Sequence, residues 1–258
     1  MLINKAYYIT HIQPWGSHMS FHSNTSTASN FDSNPPISLN QYDESIRQFC
    51  AAYEPLFIMA YSCLRSLLKD NADLLVVGAG TGMEICTFGQ KSPRWRITGV
   101  DPSAEMLVIA QNKIASLQLS NQITLFNGYT HDLPESHLYD GATCILVMHF
   151  LTDDGSKLQL LKSIGQRLKS GAPLILVDGF GDRCSPEFDR AVAAWKTFVK
   201  AGGVDPGVVE DGFTSQILKR IQFVPEERLA SLLAETGFEE PFRFYTSFLY
   251  GGWVAIKR

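Results

Sequence analysis

No apolar run in this chain of 258 residues comes near the roughly 20 that a membrane-spanning helix needs. The opening stretch, MLINKAYYITHIQPW, also lacks the apolar core of a signal peptide. The cytoplasm is therefore the expected location, and no membrane partner is expected. Cysteine is scarce and unpaired: Cys50, Cys63, Cys86, Cys144 and Cys184 are odd in number and contain no CxxC pair. They do not read as a disulfide frame or a zinc site, and no metal is expected. Cys86 and Cys144 sit inside apolar runs and read as small buried hydrophobes. Positive charge is short as well. The formal net charge is −4, whereas phosphate backbones attract a basic footprint, which argues against a nucleic-acid partner. There is no internal repeat.

Apolar residues make up 45% and charged residues 19%, ordinary for a globular chain long enough for one large domain or a domain with a small cap. Residues 1–40 are rich in Ser, Asn and Pro without periodicity and are expected to form a mobile arm. Within them GSHM, at 16–19, is also what a cleaved tag leaves and is kept out of fold reasoning. A single domain is expected over 41–258. It opens with a helical pattern: Ile46, Phe49, Tyr53, Phe57, Tyr61, Leu64 and Leu68 recur three or four apart. Pro55 should divide it into two helices.

Strands and helices then alternate. A strand at 74–78 leads through glycines into a short helix. RITGVD (96–101) leads to a helix opened by Ser103, with Leu107, Ala110, Ile114 and Leu117 on one face. ITLFN (123–127) leads to a loop. GATCILVMHFL (141–151) leads to a helix from Asp153 that Gly171 stops, and PLILVDGF (173–180) follows. Continuous apolar strands of this kind suit a parallel sheet covered by helices on both faces. Residues 181–223 interrupt the rhythm with a helical insert carrying Phe188, Trp195, Phe198, Phe213 and Phe223. A further helix follows, with Pro225 in its first turn and Gly237 at its end. The last two strands, FRFYTSF and GWVAIK, are expected to join through a short turn around residues 251–252. Such a turn links only antiparallel neighbours, so the final strand should run backwards.

The stretch LLVVGAGTGMEI (74–85) runs from strand into Gly78, Gly80 and Gly82. Glycines there permit a tight turn and let a ligand approach the backbone, although a ligand-free strand–helix junction uses the same device. Asp101 ends the second strand, nineteen residues after Gly82. A carboxylate at that place can accept from both hydroxyls of a ribose, and an acid there also suits a helix N-terminus. Together the turn and the acid point to an adenosine. A dinucleotide fingerprint would need glycine at 83, where Met83 stands, and the reversed last strand departs from the all-parallel dinucleotide fold.

VVGAGTG, GVDPSAEMLVIA, RLKSGAPLILVD and the closing antiparallel pair resemble the class I S-adenosylmethionine-dependent methyltransferases over about residues 42–258. The resemblance implies an α/β, Rossmann-like three-layer sandwich. Its seven-stranded, mostly parallel sheet would have the order 3-2-1-4-5-7-6, with the last strand antiparallel. It implies S-adenosyl-L-methionine as cofactor and direct methyl transfer to a small-molecule acceptor. Gly78, Ala79 and Gly80 would lie along the methionine part and ribose, and Thr81 and Gly82 of the same turn would also bind the cofactor. Asp101 would hold the ribose, Pro102 and Met106 would pack near the adenine, Tyr129 and Thr130 would line its edge, and Val147 would face the cofactor. Two positions depart from the pattern. Many members carry an acid two residues before the first glycine, where this chain has Val76, so the amino end of the cofactor loses a partner there. Tyr129 stands where an acid is usual; it can stack on adenine but not accept from its amino group.

The layout of YDESIRQFCAAYEPLF, of the insert and of FYTSFLYGGWVAIK is also similar to the carboxy-S-adenosylmethionine synthase group, which supplies a modified cofactor for tRNA modification. That similarity makes Tyr53 a cofactor-contacting tyrosine. The group's carboxylate-binding arginine aligns near GFTSQI, which has none. Ordinary methyl transfer is therefore the main reading. A synthase-like or tRNA-modification enzyme and a non-catalytic cofactor-binding protein are the alternatives.

Methyl transfer needs in-line placement and exclusion of water, and a base only when the acceptor keeps its proton. His149, at the carboxyl end of the fourth strand, is the candidate catalytic base; the other reading is a histidine hydrogen-bonded at a strand end. His131, in a loop, is a weaker candidate, and Asp178, ending the fifth strand, is a pocket candidate. Tyr42 and Arg47 precede the sheet as parts of a lid, where Arg47 could pair with the cofactor carboxylate or sit in a surface ion pair. The aromatics of 181–223 fit three roles: lining an acceptor pocket, filling a cap, or forming a homodimer interface.

Overall fold

The computed structural model describes residues 39–258; the arm expected over 1–40 lies outside the described residues, but for its last two positions. Seven strands form one sheet in the order β3-β2-β1-β4-β5-β7-β6, the order the resemblance implies. β1 (Asp73–Val77), β2 (Arg96–Asp101), β3 (Ile123–Asn127), β4 (Gly141–Ile145) and β5 (Pro173–Gly179) are parallel. β7 (Tyr250–Ile256) runs antiparallel between β5 and β6 (Phe242–Ser247). Every residue of β4 and β5 is buried, which is why their sequences are unbroken apolar runs rather than alternating ones.

The helical opening divides as Pro55 requires. α1 (Tyr42–Phe49) ends, Ala52 takes a left-handed φ of 59°, and α2 (Tyr53–Leu67) starts with Pro55 in its first turn, where a missing N–H leaves no hydrogen bond broken. α3 (Met83–Lys91) and α4 (Ala104–Ser116) follow β1 and β2. Ser103 caps α4, its hydroxyl accepting from the Met106 N–H at 3.1 Å. α5 (Ser156–Gly165) joins β4 to β5. The insert comprises α6 (Pro186–Ala201), α7 (Pro206–Asp211), a π-helical turn (Gly212–Ile217) and the short α8 (Leu218–Arg220), after which α9 (Glu226–Glu235) leads to β6. No described helix is long and apolar enough to cross a membrane.

Two expectations need correction. The run 141–151 is not one strand: β4 stops at Ile145, Leu146 turns with φ 58°, and Met148–Phe150 forms a 3₁₀ turn. An apolar run has the same composition whether it stays in the sheet or leaves it buried, and only the left-handed residue marks the exit. The turn between the last strands lies at 248–249, not around 251–252. Gly251 and Gly252 sit inside β7, where a Cβ would come within 2.3 Å of the Trp253 ring and 2.9 Å of the Phe244 ring. These glycines make room for rings rather than for a bend.

The insert is tied to the main core. Trp195 is fully buried, donates its indole N–H to the Phe49 carbonyl at 2.6 Å, and meets Phe213 and Tyr250 edge-on at 4.9 and 5.2 Å. The same cluster contains Cys50, Tyr53 and Phe57 and reaches β1 and β5. Truncation of Trp195 to Ala should therefore cost about 3–5 kcal/mol. Urea denaturation should show one transition moved to lower concentration. Loss of an early transition alone, with the main one unmoved, would show that the insert folds separately.

Candidate active site

β1 delivers the chain to the carboxyl edge of the sheet, and the glycines turn it there for different reasons. The Gly78 and Ala79 amides both donate to the Val100 carbonyl, at 2.8 and 3.0 Å, which folds the turn back over β2. A Cβ on Gly78 would lie 2.2 Å from Val147 Cγ2, and one on Gly82 2.9 Å from Ala110 Cβ. Both positions also have positive φ. A Cβ on Gly80 would meet nothing nearer than a backbone oxygen at 3.8 Å, so this residue faces open space. A side chain at Gly78 or Gly82 would collide with packed neighbours, whereas Gly80 faces open space.

Asp101 holds this turn. One carboxylate oxygen accepts from the Gly80 N–H at 2.8 Å and the other from the Ser103 N–H at 2.9 Å, so two amides from two turns fix its plane. Above the turn lies α1. Its Asp43 accepts from the Thr81 hydroxyl at 2.5 Å and pairs with Lys113 of α4, which fastens the helix over the glycines. The Asp101 and Asp43 carboxylates also face Tyr42, whose phenol is pushed well above its ordinary pKa, first by burial and then by those charges. Arg47 makes an exposed ion pair with Glu54.

These residues border a cleft of about 1210 Å³. Gly78, Ala79, Gly80, Thr81 and Val147 form its floor, and Asp101, Pro102 and Met106 one wall. Tyr129 and Thr130 lie at its β3 end, where Tyr129 is half-exposed and stacks on His131 at 5.5 Å. Tyr53 and Phe57 of α2 close the β1 side. Gly82 and His149 are not among the lining residues, nor is Asp178. The polar face of α5, with Gln159, Ser163 and Gln166, lines the cleft and was not picked out from the sequence.

Glu84 is the other residue that sequence reasoning missed. It stands in the first turn of α3, lines the cleft, and is 5% exposed. Burial pushes its carboxyl up to about 8, with the Thr143 hydroxyl acting in the opposite direction, and Oε1 has no hydrogen-bond partner. Its signal in the sequence was an acid two residues beyond the last glycine, at a helix position that must turn towards the sheet.

His149 does not reach the cleft because β4 has already ended before it. Its ring is 2% exposed, with Nδ1 3.2 Å from Asp178 Oδ1 and Phe150 packed against it at 4.3 Å. Lys157 Nζ lies 3.7 Å from the other Asp178 oxygen and donates to the Met148 carbonyl at 3.0 Å. This buried cluster supports, from behind, the turn whose Phe150 lines the cleft.

An open glycine, a carboxylate fixed on the second strand and a buried carboxyl with an unfilled oxygen fit an adenosyl cofactor with a charged tail. On a sheet of this order they define a class I methyltransferase. The methyltransferase domain family matches residues 75–174. A demethylmenaquinone methyltransferase of Porphyromonas gingivalis is 31% identical over 185 residues, 66% of this chain and 69% of that protein. Its counterpart in Symbiobacterium thermophilum is 26% identical over 83% of this chain and 82% of its own length. The 1,6-didemethyltoxoflavin-N1-methyltransferase of Burkholderia thailandensis, solved with S-adenosylhomocysteine bound, superposes with a TM-score of 0.56 at 17% identity, covering 85% of this chain and 84% of that one. Against several O-methyltransferase structures of the same fold, the chain spans about three fifths of their length. The chain belongs to the S-adenosylmethionine-dependent methyltransferases.

The buried cluster gives a direct test of the site's rear wall. Asp178→Ala removes the carboxylate that Lys157 and His149 both approach, which should cost about 3–5 kcal/mol in denaturant unfolding. A loss below about 1 kcal/mol would mean that Asp178 does not hold this cluster together.

Proposed function

We propose that this methyltransferase acts on a small organic molecule, and that the cleft described above holds both cofactor and acceptor. The observation that carries this reading is the size and lining of the cleft. At about 1210 Å³ it exceeds the roughly 300–1,000 Å³ usual for one small ligand. Beyond the glycine turn it continues along Phe150, Leu151 and Leu160. Those apolar side chains, beside the polar face of α5 with Gln159, Ser163 and Gln166, suit an organic acceptor that is apolar in part and carries polar groups. The demethylmenaquinone and didemethyltoxoflavin named for the relatives support an organic acceptor of this kind.

When bound, S-adenosylmethionine supplies a methyl group made electrophilic by its sulfonium. The chain's own residues do the rest. In this reading Asp101 receives the ribose hydroxyls, and Gly78, Ala79 and Gly80 let the ligand lie against the backbone. Pro102, Met106, Tyr129 and Thr130 surround the adenine, Val147 supports it from the floor, and Tyr53 shuts the cleft with α1 and α2. Thr81 and Gly82 shape the turn instead of touching the ligand, since the Thr81 hydroxyl is given to Asp43 and Gly82 packs on α4. His149 is a positioning residue behind Phe150. Closing the apolar walls excludes water, which favours displacement at carbon over side reactions.

Asp101→Ala should weaken S-adenosylmethionine binding by about 1–3 kcal/mol through lost ribose hydrogen bonds, read by calorimetry. Unchanged affinity in a folded variant would remove Asp101 from the site. Wild-type protein given S-adenosylmethionine and a panel of apolar aromatic acceptors should form S-adenosylhomocysteine. Turnover with tRNA alone would contradict the acceptor class.

A further inference from the structure

The reading that the cleft takes S-adenosylmethionine leaves its positively charged tail without a partner at Val76. Resting on that reading, we propose that Glu84 holds the cofactor's α-ammonium group, a role delivered by α3 rather than by β1. The sheet order sets the direction along the cleft. Tyr129 and Thr130 follow β3, Asp101 ends β2, the glycine turn follows β1, and β4 comes next. With the adenosine at Asp101, the amino-acid tail falls towards β1 and β4. Glu84 stands there. Its carboxyl lies near Thr143, whose hydroxyl also makes no hydrogen bond, and Thr143 is the register partner of Val76 across β1 and β4. Paired residues of neighbouring strands share one face of a sheet, so the carboxyl reaches the face on which a side chain at 76 lies.

The chemistry narrows the ligand group. A buried acceptor oxygen without a donor is costly and asks for an N–H or O–H. Glu84 Oε1 is such an atom, and Glu84 belongs to no ion pair among the described residues. Of the cofactor's groups only the ammonium offers N–H donors together with positive charge; the sulfonium has no hydrogen to donate. The titratable groups that sense the charge of Glu84 are Tyr53 of α2 and, from the other face of the sheet, Cys144 of β4, and burial raises both. The first turn of a helix also favours an anion, so an arriving cation has help in ionising the carboxyl. Because burial raises this carboxyl to about 8, cofactor binding at pH 7 should drive off its proton.

The test is calorimetry of S-adenosylmethionine and S-adenosylhomocysteine on wild type and Glu84→Gln, in buffers of different ionisation heat. Wild type should release about one proton per ligand bound at pH 7. Glu84→Gln should abolish that release and weaken both ligands by about tenfold to a hundredfold. Equal affinity in a folded Glu84→Gln, or no proton release from wild type, overturns the proposal while leaving the cofactor reading intact. A loss confined to S-adenosylmethionine moves Glu84 to the sulfonium and overturns the ammonium assignment. Wild type that binds neither ligand overturns the cofactor reading itself. Urea midpoints check the fold independently. A carboxyl raised from 4.5 to about 8 contributes stability that is full below 4.5 and lost as pH rises through 8. Wild type should therefore weaken between pH 6 and 9 more than Glu84→Gln does, and identical profiles would contradict Glu84's burial as a neutral acid.

Discussion

The site depends on one carboxylate whose two oxygens are tied to two different turns. Asp101 accepts from the Gly80 amide after β1 and from the Ser103 amide before α4. Charge-assisted hydrogen bonds of this kind are stronger than neutral ones and fix direction as well as distance. Everything at the carboxyl edge of the sheet follows from this tie. It sets the height of the glycine turn above β2, the start of α3 that carries Glu84, and the start of α4 that supplies Met106. α1 is fastened in turn, through Asp43, to the threonine of the same loop and to a lysine of α4. The cleft is built from the inside outward, and its lid rests on its floor.

Two sets of buried ionisable groups flank that floor, and they differ in their neighbours. Behind it, Lys157 and His149 approach the Asp178 carboxylate at 3.7 and 3.2 Å, although neither Asp178 oxygen makes a hydrogen bond. Such a cluster is costly to break and gives little net gain over apolar packing, and what it does here is hold the 3₁₀ turn after β4 in place. At the front, Glu84 has an oxygen that nothing in the chain satisfies. The first carboxylate lies between a lysine and a histidine of the chain. The second has no ion-pair partner among the described residues and lines the cleft, where the proposed ammonium would reach it.

Much of this was legible in the sequence. Unbroken apolar runs marked the parallel strands, the closing pair of strands marked the reversed edge, and glycine turn plus Asp101 marked residues that line the cleft. What was not legible depended on where a side chain goes after a turn. Strand periodicity could not show that Leu146 leaves the sheet, so His149 read as a residue at a strand's end when it lies under the floor. Gly251 and Gly252 read as a bend because a glycine pair also serves to admit the rings of Phe244 and Trp253. Gly82 read as part of the ligand cradle, whereas its missing side chain admits α4. Glu84 escaped notice because a glutamate in the first turn of a helix is ordinary, and only the register of Val76 with Thr143 shows which face it covers.

The most direct test of this account is a crystal structure of the protein with S-adenosylhomocysteine. The account places both ribose hydroxyls on the Asp101 carboxylate, the backbone of Gly80 against the ligand, and the amino-acid tail on the β1–β4 side of the turn. A nucleoside seated along α5, with Asp101 still held only by protein groups, would contradict it.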